Sequence, residues 1–393
     1  MRNEPNYGQT INTCYRGIVV QAVCANFVPL LFLRFRAEYG MTLEQLALIP
    51  TLFFFTQLLV DFASAYFVDR IGYRASVVAS QVTAALGLAG LAVLPELLPD
   101  PYVGVLICVV VYAIGSGLIE VLVSPIVEAC PSRNKEAAMS LLHSFYCWGS
   151  VMVILGSTIF FALFGIAHWR VLACLWAALP ALNTYFFAVC PIARLVAEGE
   201  KSMSLMSLIR TPLFWLLMLL MACAGAAELS MSQWASAFTE AALHISKTAG
   251  DLAGPCLFAV LMGISRVFYG KYSEKIELAK FMVFSGALCI VCYQLASLTR
   301  APLPGLIGCA LCGLSVGIMW PGTLSIAAKK LKNGGTALFA MLALGGDAGA
   351  SLGPSLVGLF SAAAGDNLKI GLLAATAFPV ILIAGLLALR RAR

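Results

Sequence analysis

Five ionisable side chains stand inside long apolar runs of this 393-residue chain: Asp61, Glu120, His143, Glu228 and Asp347. An acid or base in a bilayer core costs at least ~2.5–3.5 kcal/mol on insertion scales, so it faces a cavity or a partner and is functional by default. Glu120 is the strongest of them. Ser116, Glu120, Ser124 and Glu128 recur every four residues, which sets one polar stripe along a helix. A carboxyl on that stripe could bind a proton or a polar solute, or make a structural hydrogen bond to a neighbouring helix. His143 lies within about a turn of the depth of Glu120 at ~1.5 Å per residue. A His–carboxylate couple can titrate near neutral pH; a histidine bonded to a backbone carbonyl is the bland reading. Glu228, with Ser232 one turn on, reads as a substrate or proton group. Asp347 lies among Gly345, Gly346 and Gly349, where small residues let helices approach closely; binding and a structural partner are equal readings there. Asp61 and Arg266 fall toward one end of their runs and read mainly as gate scaffold.

Aromatic and amide side chains also lie within these runs. Tyr146, Trp148, Trp234 and Trp320 could stack on an apolar sugar face, or could simply pack between helices. Asn26, Asn183 and Gln294 are intramembrane amides that could bind solute or bridge two helices. Cys289 and Cys292, with Cys309 and Cys312, have a zinc-like spacing. All four lie in apolar runs where thiolates are costly, so they read as small buried hydrophobes and no metal is expected. No phosphate-binding loop is present, so nucleotide hydrolysis is not the expected power source. No nucleophile with its base stands out, which sets aside an intramembrane enzyme.

The composition dictates what must position these residues. The chain is 61% hydrophobic and 11% charged, with a mean hydropathy of +0.92. One soluble core cannot hold this much apolar surface, and a disordered chain would not carry it. Twelve runs are long enough to span a membrane: 14–33, 42–68, 75–98, 102–127, 137–164, 170–190, 212–238, 248–270, 280–298, 303–327, 335–362 and 368–389. They must be helices, because they are apolar on all sides rather than alternating. The polar start and the length of the first run argue against a cleavable signal. With the N-terminus inside, 18 of the 25 Lys and Arg fall in the inner loops and termini and 6 in the outer loops, with Arg266 inside a run. That bias places both termini in the cytoplasm. The net charge of +6 is therefore topological, and no nucleic-acid partner is expected.

The polar stretch 191–211 divides the chain into an N-terminal half, 1–190, and a C-terminal half, 212–393, of six runs each. Gly117 precedes Pro125 by eight residues, and Gly313 precedes Pro321 by eight. A basic loop follows each pair. Two similar six-helix halves are the signature of a rocking transporter with its site at their interface.

After the second run the chain reads Ala65-Tyr66-Phe67-Val68-Asp69-Arg70-Ile71-Gly72-Tyr73-Arg74. This resembles the cytoplasmic gate motif of the major facilitator superfamily, with Ala65 and Tyr73 in place of a Gly and an Arg. Asp69, Arg70, Gly72 and Arg74 are then the gate: a tight turn needs Gly, and the charges can bond across the two halves when the inner side is shut. A narrower resemblance, to the fucose:proton symporter branch, runs along most of the chain. It rests on Thr42-Leu43-Glu44-Gln45, Phe53-Phe54-Phe55, Gly117-Leu118-Ile119-Glu120 with Ser124-Pro125, Leu142-His143-Ser144-Phe145 with Gly149, Gly225-Ala226-Ala227-Glu228 with Trp234, and Gly345-Gly346-Asp347 with Gly353-Pro354. Pro29 stands where the fucose carriers have an Asp, and Ser124 where they have an Asn.

The resemblance implies an all-α membrane protein of twelve helices in two pseudo-symmetric halves. It implies a monomeric carrier in the inner membrane that takes up a small polar solute such as a sugar with protons, and needs no cofactor. Its expected proton groups are Glu120, Glu228 and His143. Asn26, Glu120, Ser124, His143, Tyr146, Glu228, Trp234, Gln294, Trp320 and Asp347 are its expected substrate groups. Efflux of an amphiphile is the alternative.

Overall fold

The computed structural model describes residues 6–41, 43–193, 203–241, 254, 256–299, 301–365 and 367–391. Among them there is no strand. The helices are α1 (Tyr7–Asn26), α2 (Phe32–Tyr39), α3 (Leu43–Ile71), α4 (Tyr73–Gly90), α5 (Leu94–Leu97), α6 (Pro101–Ala129), α7 (Lys135–Phe164), α8 (Trp169–Val189), α9 (Leu205–Ile209), α10 (Pro212–Ala241), α11 (Leu257–Tyr272), α12 (Leu278–Leu298), α13 (Pro302–Val316), α14 (Met319–Lys330), α15 (Gly335–Ala363), α16 (Leu368–Ala375) and α17 (Ala377–Arg391). Ten helical segments of the described residues are long and apolar enough to cross a membrane. The other two crossings of the twelve-helix fold are α4, diluted by Arg74 and Gln81, and α11, of which 16 residues are described.

Local sequence signals place the ends. Asn6 accepts from the Gly8 amide at 3.2 Å and starts α1. Asp100 accepts from the Tyr102 amide at 2.9 Å, with Pro101 at the first helical position of α6, where its missing N–H costs nothing. Gly72, at φ +94°, makes the turn from α3 to α4, a backbone state that favours glycine.

Several predicted runs are interrupted. The run 14–33 starts earlier, at Tyr7, and breaks after Asn26 into a 3-10 turn, Val28–Leu31. Pro29 cannot donate in a continuing helix and clashes with the preceding turn. The run 75–98 ends its helix at Gly90. The run 303–327 is two helices, α13 and α14, and the run 368–389 is divided at Thr376. Residues 248–253 and 255 of the run 248–270 lie outside the described residues.

The chain groups into two compact units. One comprises Met1–Pro131, Trp148–Ser202 and Gly335–Ala340; the other comprises Ser132–Cys147, Met203–Gly334 and Met341–Arg393. The first unit buries Phe27, Leu31, Phe35, Tyr112 and Trp169 in one apolar cluster. Its α3 is polar inside and apolar outside. Phe55, Leu59, Phe62 and Tyr66 are exposed on one stripe, while Gln57, Asp61 and Ser64 are buried on another. Inverted sidedness of this kind belongs in lipid, not in water. In the second unit α10 and α15 touch backbone to backbone. A Cβ on Gly225 would lie 2.2 Å from the Gly346 carbonyl oxygen, and one on Gly349 would lie 1.9 Å from that of Ala222.

The repeat glycines do the same job in both halves. A Cβ on Gly117 of α6 would press on Val60 and Gln57 of α3, and one on Gly313 of α13 would meet the Phe258 carbonyl of α11. Each glycine lets the fourth helix of its half close onto the second.

Candidate functional site

In the first unit, α1, α3 and α6 converge on the Glu120 carboxylate. Gln21 Nε2 donates to its Oε2 at 2.6 Å, and Gln57 Nε2 donates to the same oxygen. Both amides are nearly fully buried. Ser116 and Ser124, one turn either side of Glu120, are buried on the same stripe. Asn26 Nδ2 donates to the Ala22 carbonyl at 2.9 Å and to Ser150 Oγ at 3.2 Å. Asn183 links α8 to α1 and α4. It accepts from Arg16 at 3.1 Å and donates to the Thr13 carbonyl and to Gln81 Oε1.

In the second unit, the corresponding helices of the other half, α10, α11 and α13, meet at Arg266. Its Nη2 pairs with Glu228 Oε2 at 3.2 Å, with side-chain exposures of 3% and 13%. Its Nε donates to the Gly317 carbonyl at 2.8 Å, and its Nη1 donates to the His143 carbonyl at 2.9 Å and to Cys147 Sγ at 3.3 Å. Arg266, read from the sequence as gate scaffold, is the partner of Glu228. The physical reason is a proline. Pro321 has no N–H to give the carbonyl four residues back, which is that of Gly317. Arg266 supplies the missing donor at the break between α13 and α14.

The remaining expected substrate groups take varied places. His143 is buried on α7 at 7% exposure, and Tyr146 is half-buried one turn on. Asp347 is half-buried on α15. The Trp320 ring packs on Gly346, where a Cβ would lie 2.3 Å from it. Trp234 donates its indole N–H to the Pro354 carbonyl at 2.9 Å and covers Gly358. Gln294 falls on the exposed stripe of α12 with Phe284, Val291 and Leu298. That placement corrects its inclusion among the solute-binding groups, because the stripe points away from the buried polar residues. Gln21 and Gln57 were missed by sequence reasoning. The usable signal was that Gln57 stands one turn before Asp61 on the inward stripe of α3.

At the gate motif, Thr336 Oγ1 lies 2.8 Å from Asp69 Oδ1 and 2.6 Å from the Tyr73 hydroxyl. A hydroxyl has one proton, so the chain of donors runs from Tyr73 through Thr336 to the Asp69 carboxylate. Thr336 belongs to the C-terminal half of the sequence and Asp69 to the N-terminal half. Arg74 is occupied within its own half, donating to the carbonyls of Phe187, Ala188 and Cys190 at the end of α8, where a cation also suits the helix dipole. Arg70 is exposed. If the motif is a gate, Asp69→Asn is expected to slow transport by about tenfold, because closing contacts act on turnover, and to leave substrate binding nearly unchanged. Transport rate set against a binding isotherm measures both.

Cys289 Sγ lies 4.0 Å from Cys312 Sγ, with Cys292 and Cys309 also buried between α12 and α13. Among the described residues no three His, Cys, Asp or Glu side chains gather as a metal site. A variant carrying Cys289→Ser, Cys292→Ser, Cys309→Ser and Cys312→Ser is expected to transport as the parent does and to contain no less zinc by elemental analysis. Stoichiometric zinc in the purified parent would contradict this.

The buried carboxylates, the inverted helices and the gate turn define a membrane transporter, and the sequence comparison names the family. The model of the Major Facilitator Superfamily matches residues 17–354, and the chain belongs to that superfamily. Among solved structures, it is similar to the E. coli fucose:proton symporter FucP at a TM-score of 0.82, with 16% identity covering 98% of each chain. The human organic anion transporter MFSD10 (TETRAN) aligns at 0.77, with 14% identity over 98% of this chain and 100% of that one. The proton:xylose symporter XylE bound to 6-bromo-6-deoxy-D-glucose aligns at 0.77, with 12% identity over 96% of this chain and 94% of that one. At these identities the likeness is one of fold. No curated protein sequence matches the chain.

Proposed function

We propose that the chain is a secondary active transporter that takes up a small polar solute, most simply a sugar, together with protons, by alternating access of the halves 1–190 and 212–393. The observation that carries this reading is the pair of neutral amides, Gln21 and Gln57, on the Glu120 carboxylate at mid-helix. Glu228 by contrast faces the guanidinium of Arg266. Protonating Glu228 would strand a buried cation, a change that costs ~3–5 kcal/mol when one partner of such a pair is removed. Protonating Glu120 strands no charge on either of those two donors. On this reading Glu120, the acid that matches the span-four position of the resemblance, carries the proton, and Glu228 serves to neutralise Arg266. His143 remains a candidate for the solute, beside Asn26, Ser124, Tyr146 and Asp347.

In this cycle Glu120 takes up a proton with the solute when open outward. Its neutral form removes the cost of closing the cavity, the halves rock, and both cargoes leave inside. One charge moved through 100 mV supplies ~2.3 kcal/mol, or about forty-fold accumulation. The fold neighbours support a sugar, since two of them are named as proton symporters of fucose and xylose. An anionic solute, suggested by the organic anion transporter among the neighbours, fits less well, because Arg266 is already bonded to a carboxylate, two carbonyls and a thiol. On this reading the protein works in the inner membrane as a monomer with both termini cytoplasmic. A panel of labelled sugars and other solutes, tested in proteoliposomes with and without an imposed pH gradient, is the test. Gradient-driven accumulation of a sugar is expected. Gradient-driven expulsion of an amphiphile would replace the reading.

A further inference from the structure

Helices α3 and α6 lie side by side and run in the same direction. The Tyr102 hydroxyl donates to the Gln45 carbonyl at 3.3 Å, and the Phe53 and Tyr112 rings lie 5.8 Å apart. Further along, Gln57 donates to Glu120, and a Cβ on Gly117 would lie 3.1 Å from Val60. Both helices advance together through these contacts. Continued, the register sets Asp61 level with the turn from Glu120 to Ser124, and Ser64 level with Ser124. Gln57, Asp61, Ser64 and Val68 are the buried stripe of α3, with Asp61 at 0% exposure. Ser116, Glu120, Ser124 and Glu128 are the polar stripe of α6. The two stripes keep company from mid-helix toward the turn at Gly72.

A hydroxyl inside a helix can bond back to a carbonyl one turn earlier. In this unit Thr56 does so on Leu52 at 2.7 Å, Ser76 on Gly72 at 3.0 Å and Thr83 on Ala79 at 2.9 Å. Ser64 and Ser116 do not. They are 1% and 0% exposed, and their Oγ atoms have no hydrogen-bond partner among the described residues. A buried polar group left unbonded costs ~1–3 kcal/mol, and a polar site with room takes up water instead. These two hydroxyls stand on either side of Glu120 and Asp61 along the stripes. A hydroxyl both donates and accepts, which is what the passage of a proton needs.

Few ionisable groups surround Asp61. Helix α6 brings Cys108, Tyr112, Glu120 and Glu128, and α4 brings Tyr73 and Arg74 at its start. Arg74 is bonded to the end of α8. On α3 itself Tyr66 is exposed, and Asp69 and Arg70 lie in the last turn. Helix α2, with Arg34, Arg36, Glu38 and Tyr39, lies at the opposite end of α3 from the gate turn. Arg16, the cation of α1, is held by Asn183 and lies over the Phe186 ring. Gly335–Ala340, which groups with this unit, carries no ionisable side chain. A proton leaving Glu120 toward the gate turn therefore meets Asp61 first, and Glu128 only ~12 Å further along α6.

We propose that Asp61 takes the proton from Glu120 and hands it on toward Glu128, so that release runs between α3 and α6. The O–H bond of Glu120 breaks and an O–H bond forms on the Asp61 carboxylate. Glu120 is left ionised under Gln21 and Gln57. The pair carries the same total charge before and after, so the transfer buries no new charge. Asp61 regenerates by giving the proton to water on the gate side. The proposal rests on Glu120 as the proton carrier and on nothing about the sugar.

Infrared difference spectra over a pH titration read protonated carboxyls by their C=O stretch, with neither solute nor gradient. In protein carrying isotope-labelled aspartate, Asp61 is the labelled band lost in Asp61→Asn, and Glu120 is the unlabelled band lost in Glu120→Gln. After a rapid jump from acid to alkaline pH, the Glu120 band is expected to decay about tenfold or more slowly in Asp61→Asn than in the parent, and at near the parental rate in Asp61→Glu. An aspartate with a structural role alone stays ionised and gives no titrating band. Absence of that band overturns the proposal, and so does an unchanged Glu120 decay in folded Asp61→Asn. If Asp61→Asn fails to insert, Asp61→Glu decides. Conversion of the labelled band to an unlabelled one that outlasts the Glu120 band supports the transfer, and no conversion overturns it. A missing Glu120 band would remove the carrier reading itself, whereas a Glu120 band indifferent to Asp61→Asn removes the hand-over alone.

Discussion

Glu120→Gln abolishes net accumulation and spares exchange of labelled for unlabelled substrate. That is the expected result if Glu120 carries the proton, because glutamine mimics a permanently protonated acid. The variant can still occlude solute and rock, so exchange persists. It cannot release a proton inside, so the driving force no longer couples. The about forty-fold accumulation available from 100 mV falls to one. The donors make the substitution sterically mild: Gln21 and Gln57 both face Oε2, and a glutamine oxygen can accept there in its place. Loss of both activities would make Glu120 a substrate or structural group. Retention of gradient-driven accumulation would move the coupling to Glu228 or His143. Counterflow and net uptake in the same proteoliposomes separate these outcomes.

Gly349→Ala is expected to cost ~3 kcal/mol or more, the upper range for overpacking, because its new methyl would sit 1.9 Å from a backbone oxygen of Ala222. Backbone cannot move aside as a flexible side chain can, so α15 must lift from α10. The control is the same substitution at Gly156, where a Cβ would meet only the Trp176 ring at 3.5 Å. There the usual gain of alanine over glycine inside a helix, ~0.5–1 kcal/mol, should be realised. Recovery of monodisperse protein and its thermal inactivation in detergent measure both. Equal behaviour of the two variants would contradict the close approach of α10 and α15.

The class of fold was legible because its cause is local. Each run is apolar over most of its surface and does not alternate as a barrel strand does, and lipid admits only spans whose backbone groups bond internally. The repeat was legible because Gly117 and Gly313 serve one purpose, the approach of a fourth helix to a second. The polar stripe of α6 was legible because four-residue spacing is written in the chain. What donates to Glu120 was not, since Gln21 lies 99 residues away and Gln57 lies 63 away, and no local pattern aims an amide across helices. The pairing of Arg266 with Glu228 was hidden for the same reason. Its depth in the run pointed to a gate, whereas its reach of several bonds carries the guanidinium to Glu228. The break that it serves was concealed too, because the carbonyl orphaned by Pro321 belongs to Gly317, a residue with no signal of its own. At the gate motif, the turn at Gly72 could be read from the sequence, but the acceptance of Thr336 by Asp69 could not.

The break after Val316 also has a mechanical consequence. In α6 the backbone runs unbroken for 29 residues through Pro125, so a force applied at one end arrives at the other. Its counterpart is two shorter rods, of 15 and 12 residues, joined at Gly317 and Ile318. Such a joint bends where a rod would transmit. The fourth helices of the two halves therefore differ in stiffness although they share a pattern of glycine and proline. Strain entering the C-terminal half concentrates at one peptide, and the guanidinium of Arg266 is clamped across it.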